Sequence, residues 1–196
     1  MKATSSLPRK IRRFGRDRRG VSAVEFAFIA PVMIGLYLGC VEVSDGVAVD
    51  RKVSLVAGAL ANLTASCGSS NTNAGGCANN ILSATEMNNI IAASSAIVAP
   101  YDPTKLTMTV SCLSIDANQN VTMKWSTGTL QSGSVTIPPM LAAVPGTLIY
   151  STVSYAYKPI VGYTITGTLT LSDHMYMSPR TQAPSYPDNK PNSTCT

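Results

Sequence analysis

The stretch that decides the fold is Arg19-Gly20-Val21-Ser22-Ala23-Val24-Glu25-Phe26-Ala27-Phe28-Ile29-Ala30-Pro31, continued by Val32-Met33-Ile34-Gly35-Leu36-Tyr37-Leu38-Gly39-Cys40-Val41. From Val21 to Val41 every residue is apolar or small except Ser22 and Glu25. As a helix rising about 1.5 Å per residue, this run spans roughly 31 Å, the thickness of a bilayer's hydrocarbon core. A surface helix of a soluble domain is apolar along one stripe. This one is apolar all round, which points to a membrane anchor.

The charge on either side orients it. Residues 1–20 carry eight Lys and Arg against Asp17 alone, a balance of +7. The rest of the chain holds seven basic residues against nine acids, a balance of −2, so the overall +5 belongs to the N-terminus. A Lys/Arg-rich flank before an apolar span, with Glu42, Asp45 and Asp50 after it, places the N-terminus in the cytoplasm and the body outside it. The body has no basic stripe to follow phosphates, which argues against a nucleic-acid partner. Disorder is excluded for most of the chain by 45% apolar and only 13% charged residues.

Glu25 is the informative exception inside the apolar run. A carboxylate in a transmembrane helix costs on the order of 2.5–3.5 kcal/mol by insertion scales, so it calls for a partner. One candidate is water or Arg18 and Arg19 at the interface. The other comes from Gly20, at the border between the basic flank and the apolar run. Cutting after Gly20 creates an ammonium on Val21, four residues before Glu25 and on the same helix face. The two charges then neutralise each other, within one subunit or between neighbours. Cleavage as a secretory signal lacks well-placed small residues. Lipidation at Cys40 would follow Leu38-Gly39, but bulky Tyr37 and Leu38 fit that processing poorly.

Arg19-Gly20-Val21-Ser22-Ala23-Val24-Glu25-Phe26 resembles the prepilin signature: a basic leader, Gly at the cut, Glu at the fifth mature position, then an aromatic residue. The longer run through Pro31 is similar to the TadE-like proteins, minor pilins of the tight-adherence (Flp) pilus machinery. Tyr176-Met177-Ser178-Pro179-Arg180 is similar to a Pro-Arg ending common in that family. The resemblance implies removal of the leader by a prepilin peptidase and a role in pilus assembly. It also implies other pilins or Tad assembly proteins as partners in a bacterial inner membrane, with the C-terminal domain periplasmic. The Cys-containing loop and the polar tail beyond Arg180 depart from the family. Pro31 lacks an amide hydrogen and is expected to kink or loosen one turn. Gly35 and Gly39 form a G-x-x-x-G that permits close helix approach.

Beyond the span, Val43, Val47, Val49, Val53, Val56, Leu60 and Leu63 continue an apolar stripe opposite Asp50, Arg51 and Lys52. The helix is expected to reach about Ala65, roughly 67 Å from Val21. Pilin-like proteins pack the upper half of such a helix under a small sheet. The organisation read here is a leader over 1–20, a membrane helix over 21–42, a helical stalk over 43–66 and an extracytoplasmic domain over 67–196. Cys67 and Cys77 bracket a polar, turn-rich loop and are expected to pair, closing it for about 3 kcal/mol. Cys112 and Cys195 would then tie the tail to a strand, leaving Cys40 free. Four cysteines outside the bilayer allow three connectivities.

Ser83-Ala84-Thr85-Glu86 has capping-box spacing and opens a second helix to about Ala99, before Pro100. Strand patterns follow over Lys105–Ile115, Val121–Ser126, Thr147–Tyr157 and Tyr163–Ser172. Asp116–Asn120 reads as the hairpin turn between the first two, and Pro138 to Gly146 as an interruption. The class is α+β: a long membrane-spanning helix, then an antiparallel sheet domain. The chain calls for no cofactor and no enzymatic activity. Its one histidine, His174, leaves no spare parts for a Ser–His relay or a His metal site. C-x9-C is not a metal-ligand spacing. His174 and Asp173 are read as surface residues at a strand end. Asp102, Asp116 and Asp188 are read as turn residues.

Overall fold

The computed structural model describes residues 19–68, 77, 81–127, 135, 137–160, 167–180, 182–186 and 195. The leader up to Arg18, most of the loop between Cys67 and Cys77, Tyr163 to Ile165, and Asp188 lie outside them. The chain divides into two compact units, Met1–Ser44 and Asp45–Thr196. Helix α1 spans Arg19–Ala65. It is followed by α2 (Ala84–Ser95), β1 (Leu106–Ile115), β2 (Val121–Ser126), a one-turn α3 (Pro139–Ala142), β3 (Gly146–Tyr157) and β4 (Leu169–Met177). This is the α+β arrangement read from the sequence.

Within the second unit the core forms where α1 meets one face of the sheet. Val49, Val53, Val56 and Leu60 recur at i, i+4, i+7 and i+11 and are all fully buried. They share one cluster with Val110 and Cys112 of β1 and Ile149 and Val153 of β3. Ala57 and Ala61, also buried, keep this face of the helix low. Ser151 of β3 reaches the helix backbone itself, its Oγ donating to the Ala57 carbonyl at 2.8 Å. The stripe is shorter than the sequence reading. Val43 and Val47 fall off the Val49–Leu60 spacing and are exposed, and Leu63 is partly exposed.

The sheet runs β2-β1-β3-β4, antiparallel throughout. The β1–β2 hairpin closes through Asp116, whose Oδ1 accepts from the backbone N–H of Asn118 and of Asn120, each at 2.8 Å. Asn120 Nδ2 donates to the other oxygen at 2.9 Å. Gln119 takes the left-handed conformation this turn needs, at φ 65°. A bulge between Cys112 and Leu113 shifts the register, so that Cys112 faces Trp125 and Leu113 faces Met123. Ser83 and Glu86 form the full capping box at the start of α2. That helix ends at Ser95 and tightens into a 3-10 turn, Ala96–Val98, before Pro100.

Two readings are corrected by pairing. The last strand, expected over Tyr163–Ser172, runs Leu169–Met177 among the described residues, and passes Ser172 because it follows β3 from Tyr157 opposite Leu169 to Ile149 opposite Met177. Asp173 and His174 therefore lie inside the strand, opposite Val153 and Thr152, and not at a strand end or turn. The Pro-rich interruption also contains α3, with Pro139 at its first turn, where a missing amide hydrogen costs nothing.

Truncating the stripe should separate buried from exposed leucines. Leu60→Ala is expected to lose about 2–5 kcal/mol in urea unfolding of the detergent-solubilised chain. Leu55→Ala, 62% exposed on the same helix, should stay within about 0.5 kcal/mol. The turn carboxylates set the acid side. Asn120 holds Asp116 below the usual carboxylate range, first through its side chain and then its amide, and Thr104 does the same for Asp102. Folded values below unfolded ones give stability that is present above the unfolded pKa of about 4 and lost as pH falls through the folded values. The melting temperature should drop on acidification below about pH 4, and Asp116→Ala should flatten that drop. An unchanged acid limb in the variant would remove Asp116 from the account.

Candidate functional site

The residues singled out in the sequence within the first unit lie along α1. Gly20 and Val21 both lie within α1 as described from Arg19. Val21 is 55% exposed, Phe26 is 69% exposed and Glu25 is exposed as well. Val21 and Glu25, four residues apart, share a helix face. Pro31 sits inside the helix, which continues through it. A Cβ placed on Gly35 or Gly39 would meet nothing within 4 Å, so this face is open to a neighbour. Cys40 carries a free, exposed thiol, and its carbonyl accepts from Ser44 Oγ at 2.8 Å. Large apolar side chains point outward along the whole run, from Val21 to Val43.

The second unit is pinned by two disulfides, Cys67–Cys77 and Cys112–Cys195. The first lies immediately after the end of α1. The second ties the C-terminal tail to the centre of β1, and both of its cysteines are buried. Trp125 supports the same tail, its Nε1 donating to the Pro184 carbonyl at 2.9 Å with its ring 5.6 Å from that of Tyr186. Helix ends are closed by cations from elsewhere in the chain. Lys52 Nζ donates to the carbonyls of Ala99 and Ile97, at 2.6 and 3.3 Å, just past α2. Arg180 donates its backbone N–H to the Ala65 carbonyl at 3.2 Å and its guanidinium to Asn62 Oδ1 at 2.8 Å, at the end of α1. The last turn of α1 has no basic residue of its own, so Arg180 supplies the positive charge that a helix C-terminus favours.

The sequence reading gave no role to one group. Tyr150, His174 and Tyr176 pack ring against ring on the sheet face turned away from α1. Burial pushes the Tyr176 hydroxyl above its ordinary pKa, with a further contribution from Tyr150. The alternation of β3, with Ile149, Ser151 and Val153 buried, carries the signal that places Tyr150 on the other face. The phase of β4 becomes readable only once its register with β3 is known.

Among the described residues no group of three or more His, Cys, Asp or Glu is placed to hold a metal ion. What the geometry defines is a protein with one N-terminal helix long and apolar enough to cross a membrane and a disulfide-linked helix-and-sheet unit. The TadE-like protein family model matches residues 20–60, so that segment is similar to TadE-like proteins. The match covers Gly20, Glu25, Pro31 and the buried stripe through Leu60. No curated protein and no solved structure matches the chain.

Thiol counting tests the pairing. The unreduced, denatured chain should take up one maleimide, at Cys40, and three would overturn the pattern. Replacing both members of a pair by Ala should cost about 4.5 kcal/mol for Cys112–Cys195 and about 3 kcal/mol for Cys67–Cys77 in urea unfolding, following the loops they close.

Proposed function

We propose that this chain is a membrane-anchored minor pilin, or pseudopilin, acting in assembly of a Tad (Flp-type) pilus. The observation that carries the reading is the TadE-like match over residues 20–60, which holds Gly20, Val21, Glu25 and Phe26 in prepilin order. In this reading residues 1–20 are a cytoplasmic leader, 21–42 span the inner membrane, 43–66 form a stalk and 67–196 are periplasmic. A prepilin peptidase cuts the Gly20–Val21 bond, at the border between the basic flank and the apolar run. The ammonium left on Val21 then faces Glu25 across one helical turn, or the Glu25 of a neighbouring subunit. The open Gly35–Gly39 face lets other pilins or Tad assembly proteins come close. The protein works by interaction and not by catalysis.

N-terminal sequencing of the membrane-extracted protein tests the reading directly. Val21 as first residue is expected. An intact Met1 would make the chain an uncleaved anchor of an envelope protein, and a lipid-modified Cys40 would make it a lipoprotein. Glu25→Ala should leave cleavage nearly intact while assembly is lost. Leaving the charge of one partner unneutralised in lipid costs about 2.5–3.5 kcal/mol, on the order of a 100-fold change in an association constant. Pili formed at normal level by that variant would end the charge-pairing account.

A further inference from the structure

In the second unit β3 runs antiparallel to α1. Ser151 reaches the helix at Ala57, and further along the strand Tyr157 reaches it at Gly46, where an added Cβ would lie 3.8 Å from the tyrosine ring. The other strands of this sheet end are fixed by register. β1 begins beside it, with Leu106 opposite Tyr155, and β4 begins with Leu169 opposite Tyr157. Gly46 comes five residues after Val41, the last residue of the apolar run. That separation is at most about 18 Å of chain. Past Tyr157 the chain continues Lys158-Pro159-Ile160, with Pro159 buried and Ile160 left 89% exposed. Leu169 is exposed as well.

We propose that this end of the sheet, led by Ile160 and Leu169, docks on the surface of the bilayer that the apolar run enters. The inference rests on the reading of residues 21–42 as a membrane span, and stands whether or not the leader is cut after Gly20. Apolar side chains left in water gain by burial, and lipid is the apolar medium within reach of Gly46 along the chain. The headgroup layer extends roughly 5–8 Å beyond the hydrocarbon core, toward this end of the unit. Lys158, exposed beside Ile160, can lay its stem on apolar surface and keep its ammonium among the phosphates. Tyr157 is a ring of the kind that settles at this level. Lys105 and Lys158 are matched here by Asp45 and Asp102, so apolar contact carries the docking and anionic lipid is not required. Two apolar side chains fall far short of the centre that a stable protein interface needs. For a domain already tethered at the surface a small contact suffices, because the anchor supplies a high effective concentration.

The test reads tryptophan fluorescence of the full chain in phosphatidylcholine nanodiscs, with and without lipid brominated on the upper acyl chain as quencher. The parent's one tryptophan, Trp125, is buried and sets the baseline. Ile160→Trp should lose about half of its added emission, as a ring seated ~5–10 Å into the headgroup and acyl boundary does. Val144→Trp, also at an exposed apolar position but next to the opposite end of β3, should stay at the baseline. Leu169→Trp reads the same surface with Ile160 in place, and adding Ile160→Asp should reduce its quenching severalfold. Tyr37→Trp, inside the apolar run, checks the anchor separately. Quenching in Tyr37→Trp without quenching in Ile160→Trp would overturn the docking and leave the anchor standing. No quenching in Tyr37→Trp would remove the anchor and the docking with it. Equal quenching in Val144→Trp and Ile160→Trp, or quenching of Leu169→Trp indifferent to Ile160→Asp, would also overturn the docking. So would a photo-crosslinker at position 160 that captures a second copy of the chain and no lipid, since this end would then be a protein contact.

Discussion

The second unit depends on one packing relation: a four-residue apolar stripe of α1 pressed against the inner face of β1 and β3. Val49, Val53, Val56 and Leu60 are each sealed from solvent, and each buries apolar area worth roughly 1.5–3 kcal/mol. Close approach is possible because Ala57 and Ala61 lie between them. A larger side chain at Ala57 would hold the sheet away from the helix and separate Ser151 Oγ from the carbonyl it reaches at 2.8 Å. A serine buried opposite a helix is costly unless satisfied, and here a helix carbonyl satisfies it. The same hydrogen bond fixes the rotational setting of α1 against β3, because only one helix face presents the Ala57 carbonyl.

Charge in this protein is used to finish helices. Lys52 and Arg180 are two of the few cations outside the leader: the Lys52 ammonium ends on the Ala99 and Ile97 carbonyls past α2, and the Arg180 guanidinium on Asn62 Oδ1 near the end of α1. This gives a physical account of the near-neutral balance of the body: its cations are spent locally and not spread over a face. The Pro179-Arg180 pair, singled out in the sequence by likeness to a family ending, acquires a structural reason. It follows the last residue of β4 closely and returns the chain to the end of α1, where the Ala65 carbonyl has no donor within the helix and accepts from the Arg180 backbone N–H.

What was legible in the sequence follows from which patterns have one physical solution. The all-round apolar run of residues 21–41, the Ser83–Glu86 box and the Asp116–Asn120 turn are each local, and each took the form the sequence implied. The stripe of α1 was read too long because Val43 and Val47 are apolar but out of phase with Val49 and Val53. Composition counted where angle decided. The last strand was placed too early because Thr and Ser alternate with apolar residues from Tyr163 onward, a pattern that several registers satisfy. Only the pairing of Tyr157 with Leu169 selects one. The aromatic trio was missed for the same reason, since it exists only in that register. Of three possible disulfide connectivities, the one expected is the one present; the contact that brings the tail back past Trp125 is long-range and no local spacing encodes it.

The family match and the two units divide the chain differently, and the difference has a physical meaning. The match runs from residue 20 to residue 60, through the apolar span and through the buried stripe to Leu60. Both parts of that segment answer to simple demands: apolar bulk and one carboxylate in the first, an i, i+4, i+7 stripe in the second. The sheet that covers the stripe must supply an apolar inner face, and Val110, Cys112, Ile149 and Val153 do so. Its outer face meets a packing demand only at one end, where Leu113 and Ile115 are sealed from solvent. Because side chains on a strand alternate, residues such as Tyr150, His174 and Tyr176 can change there without disturbing Ile149, Ser151 or Val153 one position away. A fold of this kind keeps its anchor and core under tight physical constraint, and strand alternation lets the exposed part of the outer sheet face vary independently of them.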